Sequence, residues 1–151
     1  MTPFGPDPSG PHVHGSSVIV VGLDGSDTSM RAAAFAVGLA RRQASRLVFV
    51  YVQNTSAGAM TPQVIPALIT VGEDIADDLH ALLAQRLEDW PGQWELRRLV
   101  GNPFAELTRI AAEVHADLVI VGASARLGHR LVGSLAVHLV KARRWPVTVV
   151  P

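Results

Sequence analysis

The 151-residue chain contains no cysteine. Disulfides, zinc–thiolate sites and thiol catalysis are excluded with it. It also lacks an excess of either charge: 13 Lys and Arg balance 13 Asp and Glu, for a formal net charge of 0. Nucleic-acid binders usually carry a strong basic excess, and a helix that lies on a membrane through charge is rich in Lys and Arg. Neither nucleic acid nor membrane is therefore expected as a partner. No apolar run approaches the ~20 residues of a membrane span. The opening residues, MTPFGPDPSGPHVHGSS, lack the basic start and the apolar core of a secretion signal. A cytoplasmic location is the expectation, and the absence of cysteine fits a reducing compartment.

Motifs of catalysis and phosphate binding are equally scarce. There is no G-x-x-x-x-G-K-[ST], no G-x-G-x-x-G and no G-x-S-x-G. No paired-carboxylate arrangement stands out. His80, His115 and His138 fall in helical stretches without a nearby nucleophile or metal-ligand spacing, and they read as structural. His12 and His14 form a lone His-x-His pair, which reads as solvated rather than metal-binding. No catalytic residue and no metal ligand is assigned.

What is present is a folded domain. Hydrophobic residues make up 48% of the chain and charged residues 17%, a balance far from that of a disordered chain. A chain of this length buries roughly 70% of its unfolded surface. Residues 1–16, rich in Pro and Gly, are expected to form a flexible tail ahead of a single domain spanning 17–151.

Two patterns then alternate. Short apolar runs rich in β-branched residues occupy 17–23, 46–53, 117–123 and 146–151, and an imperfectly alternating run occupies 93–100. The last of these, with two arginines, predicts an edge strand with one wetter face. Helical spacing covers 27–43, through Met30, Ala33, Val37 and Ala40. It returns from Ala67 to about Trp90, where Pro91–Gly92 stops it. A third helix, 102–116, has Asn102 as its cap and Pro103 in its first turn. The fourth runs from Gly133 to about Arg144. Strands that are apolar on both faces require helices on both sides, which predicts an α/β fold with a doubly wound parallel sheet. Ligands of such sheets sit beyond the carboxyl ends of the strands, where the strand order reverses.

Two loops lie at such ends. In GASARLGHRLVGS, residues 122–134, Gly133 and Ser134 stand where the last helix begins. The N–H groups of Gly133, Ser134 and Leu135 either seat a phosphate or belong to a helix that Ser134 merely caps. Arg126, His129 and Arg130 share this loop and are candidates to pair with phosphate. In LDGSDTS, residues 23–29, Asp24 either accepts hydrogen bonds from ribose hydroxyls or closes an Asx turn. Ser26 or Asp27 can cap the helix that follows, and Asp27 is assigned to capping.

Three segments together, VIVVGLDGSDTS, VGNPFAEL and VIVGASARLGHRLVGSLAVHLVKARRWPVTVVP, resemble the universal stress protein family across residues 17–151. The resemblance implies a five-stranded parallel sheet in the order 3-2-1-4-5. It also implies a homodimer paired through the final strand, here 146–151. Members that bind ATP are similar to one another in a motif, G-x2-G-x9-G-[ST]. This chain begins the motif at Gly122 and ends it at Gly133–Ser134, but Ala125 replaces the second glycine and seven residues follow it rather than nine. By the same resemblance Asp24 contacts the nucleoside, and Val52, Gly101, Val121 and Gly122 line the crevice. The implied ligand is ATP or another adenine nucleotide, with or without Mg, hydrolysed slowly if at all. The alternative is a dimer that works through protein contacts without nucleotide.

Overall fold

A computed structural model describes residues 16–54, 61–124 and 133–151. The expected tail lies almost wholly outside these residues. So does the middle of the 122–134 loop, with Ala125, Arg126, His129 and Arg130.

The elements follow the alternation expected. They are β1 (Val18–Leu23), α1 (Asp27–Gln43), β2 (Arg46–Asn54), α2 (Ile65–Arg86), β3 (Trp94–Gly101), α3 (Pro103–Glu113), β4 (Leu118–Gly122), α4 (Ser134–Ala142) and β5 (Val147–Val150). All pairings are parallel and the sheet order is β3-β2-β1-β4-β5. The order therefore reverses between β1 and β4.

Each strand supplies both faces of the sheet, because successive side chains point to opposite sides. Ile19, Val21 and Leu23 of β1, with Leu47, Phe49 and Tyr51 of β2, meet α1 and α2. Val20, Val48 and Val50, with Val119 and Val121 of β4, meet α3 and α4. The alanines of α1 (Ala32, Ala33, Ala36 and Ala40) are fully buried. Their small side chains let the helix settle close over β1, β4 and the near side of β5.

Helix ends depart from the sequence reading where the signal was weak. The second helix spans 65–86 rather than 67–90, and Leu87, Glu88 and Asp89 form a turn. The third helix ends three residues early, and His115 follows it in a left-handed conformation (φ 52°). α1 and α4 also end on left-handed residues, Ala44 and Arg143, where glycine is the usual choice. Asn102 caps α3 as expected, its Oδ1 accepting from the Ala105 N–H at 3.0 Å. The cap of α1 is Ser26, not Asp27, which is the first helical residue. His80 lies tilted against Trp94, and His138 packs edgewise on Phe104.

Candidate functional site

The site is built where β1 and β4 end side by side. After β1 the chain turns through Asp24 and Gly25 into α1. The Asp24 carboxylate accepts the Ser26 N–H at 2.9 Å, which is the Asx turn allowed by the sequence. Ser26 Oγ in turn accepts the Ser29 N–H at 3.2 Å, capping the helix. The buried Ser29 hydroxyl donates to the Ser26 carbonyl at 2.9 Å and accepts from the Asp24 N–H at 3.4 Å. Burial works to raise the Asp24 pKa, but hydrogen bonds from Ser26, Ser29 and the local backbone outweigh it and hold the carboxyl below its ordinary value. Asp24 is thus an anion at neutral pH. Tyr51, buried on the α1 side, has its hydroxyl pushed up, first by burial and then by the charge of Asp24.

Gly122 ends β4, and its lack of a side chain has a packing reason. A Cβ there would lie 2.5 Å from the Thr28 carbonyl carbon and 2.6 Å from the Ser29 nitrogen. The first turn of α1 rests directly on it, so the two loops are locked together at this point. The next residues lead to Ser124, against which Gly133 sits: a Cβ on Gly133 would come within 2.7 Å of the Ser124 Cβ. Contacts therefore run from Asp24 through Ser29 and Gly122 to the start of α4.

That start differs from those of α1 and α3. Gly133 is the N-cap and, among the described residues, no side chain makes a cap hydrogen bond. Ser134 is the first helical residue and is exposed, so the alternative in which it caps α4 is overturned. α1 and α3 have side-chain caps. At α2 the turn beginning at Thr61 takes the N–H groups of Val64 and Ile65, and Pro66 has none to offer. Among the described residues the first N–H groups of α4 have no side-chain acceptor, and with the helix dipole they favour an anion.

The remaining candidates are placed less centrally. Val121 is buried beneath α3 and α4, so only its backbone reaches the carboxyl edge. The Leu135 side chain also packs into that core, leaving its N–H for the site. Val52 is half-buried near the end of β2 on the same face. Gly101 ends the outermost strand β3 with φ +146°, paired with Asn54 and separated from β4 by two strands. Ser29 and Tyr51 were missed by the sequence reading. The Ser26-x-x-Ser29 spacing carried the first of these, whereas Tyr51 is legible only once β1 and β2 are in register.

The fold and this crevice define a doubly wound α/β domain with an anion-favouring helix start at its switch point. The chain belongs to the universal stress protein family, whose pattern it matches over residues 16–151. It is 27% identical over 139 residues to a universal stress protein of Methanocaldococcus jannaschii, covering 87% of this chain and 80% of that one. It superposes on universal stress protein UspA from Lactobacillus plantarum with a TM-score of 0.76 at 26% identity, over 89% of this chain and 97% of the other. A further universal stress protein, solved in complex with cAMP, matches with a TM-score of 0.65 at 26% identity, over 89% and 97%.

Proposed function

We propose that this universal stress protein binds an adenine nucleotide in the crevice between β1 and β4. The observation that carries the reading is the start of α4, where the cap is a glycine and no side chain among the described residues takes the first N–H groups. Phosphate is the group such a terminus suits. At the other end of the same chain of contacts stands Asp24, an ionised carboxylate of the kind that accepts ribose hydroxyls. The residues present thus fit a nucleotide. Ser134, Leu135 and Ala136 offer donors to its phosphates, Asp24 offers an acceptor to its sugar, and Val52 and Gly101 border the far side. The related protein solved with cAMP supports the same ligand class. Among the described residues no group of three or more His, Asp or Glu forms a metal cluster, and we assign no side chain to Mg2+.

The proposed molecule is a homodimer paired through β5, acting as a stress-response regulator or interaction module in the cytoplasm. β5 is an edge strand of Val and Thr without a charge, and a bare edge of this kind invites pairing. By contrast, β3 at the opposite edge carries Glu95, Arg97 and Arg98 in ion pairs. No described helix is long and apolar enough to cross a membrane. The domain proposed is 17–151, preceded by the Pro- and Gly-rich tail.

A second reading, a dimer that works without nucleotide, is favoured by one feature: Ala125 replaces a motif glycine in a loop two residues shorter than the family's ATP-binding pattern. Denaturing the purified protein, identifying released small molecules and titrating the emptied chain with ATP separates the two. Released or saturably bound adenine nucleotide supports the first reading. An empty chain that ignores millimolar ATP supports the second.

A further inference from the structure

We propose that the cleft between α1 and α2 is a second binding site, for a small organic cation with an apolar body, such as a protonated arylalkylamine. The cleft is open to solvent and offers about 340 Å3, within the range of small-molecule sites. Its walls are Met30 from α1 and Ile75, Leu79 and Leu82 from α2, and Asp24 and Asp78 stand among them. None of the described lining residues is basic. The neighbouring Asp77 is neutralised by Arg98, but none of the ion pairs among the described residues uses Asp24 or Asp78. An apolar hollow bordered by two carboxylates, with no cation among its described lining residues, complements a ligand that joins a positive charge to an apolar surface.

The local sequence keeps this cleft open. Gly25, at φ +82°, turns the chain at its mouth without a side chain, and the site a Cβ would take is 3.7 Å from Ile75 Cγ2. One turn before Ile75, Val71 is 53% exposed, so the apolar lining continues out of the cleft along α2. The cleft lies on the α1/α2 face, whereas α4 packs on the opposite face. The two sites share Asp24 alone.

The test uses nucleotide-free full-length protein and follows the Met30 methyl signal by NMR, assigned through Met30→Leu. Benzylammonium is titrated against benzyl alcohol, which has the same ring without the charge. The expected result is a saturable Met30 shift with benzylammonium and at least roughly fivefold weaker binding of the alcohol. Asp78→Asn, a change at an exposed position, should weaken benzylammonium about threefold. Leu82→Lys, which supplies the cation from the protein, should abolish the shift in a chain whose circular dichroism is unchanged. Equal affinity for the two probes, an immobile Met30 signal, or an unaltered Asp78→Asn titration would each overturn the proposal. Since no nucleotide is present, none of these outcomes bears on the β1–β4 crevice.

Discussion

α1 and α4 begin at the same edge of the sheet and border the same crevice, yet they start in opposite ways. α1 supplies its own acceptors: Ser26 Oγ takes the Ser29 N–H and Asp24 takes the Ser26 N–H. α4 begins at Gly133, which has no side chain to offer. Glycine caps a helix only about a few tenths of a kcal/mol less well than Ser, Thr, Asp or Asn, so α4 forgoes a side-chain acceptor at little cost and keeps its donors open to an anion. The difference teaches that the two loops divide their work. The first is a rigid, internally satisfied turn that holds one carboxylate in place. The second presents donors that no side chain among the described residues takes.

The strongest way to break the comparison is to separate the loops. Gly122→Val drives a side chain into the Thr28–Ser29 backbone. It should lower stability by about 3 kcal/mol, measured by urea denaturation, and abolish nucleotide binding. Ser134→Glu sharpens the contrast instead. A carboxylate at a helix N-terminus favours the helix but repels phosphate. The melting temperature should hold or rise while ATP affinity, read by calorimetry, falls at least about tenfold.

The next pair exchanges the two helix starts. Ser26→Ala removes a cap and should cost about 1 kcal/mol. Ser134→Ala removes no cap and should change stability by less than roughly 0.5 kcal/mol. Equal losses in the two variants would erase the distinction. The smallest effect concerns pH. The Asp24 carboxyl is held below its ordinary value of 3.8 because the hydrogen bonds to its anion outweigh the effect of burial. A depressed folded-state pKa contributes stability that is present above the unfolded value and lost as pH falls through the folded one. Stability of the parent chain should therefore drop more steeply than that of Asp24→Asn as pH is lowered below 4, followed by fluorescence.

Much of this architecture was legible in the sequence, because apolar runs and helical spacing report burial directly. The five strands, four helices, the α/β class and the Asn102–Pro103 start of α3 all followed from those signals. The end of α1 at Gln43 was legible too, although Ala44 takes a left-handed position that sequence assigns to glycine, but the end of α4 was not, since Arg143 stops it in the same conformation. Ser26 and Asp27 were both credible caps, and only the turn closed by Asp24 selects the serine. The role of Gly122 was hidden for a different reason: its partners, Thr28 and Ser29, lie more than ninety residues earlier in the chain. For Ser134 the sequence offered cap or ligand seat, and the geometry removes the cap.

The central claim is that the first N–H groups of α4 receive the phosphates of a nucleotide. Its most direct test is the amide NMR spectrum of 15N-labelled, nucleotide-free protein titrated with ATP and, separately, with adenosine. The account predicts that the Ser134, Leu135 and Ala136 amides shift with ATP but not with adenosine, while the Ser26 and Ser29 amides keep their internal hydrogen bonds. ATP binding that leaves the α4 amides unmoved, or no binding at all, would contradict it.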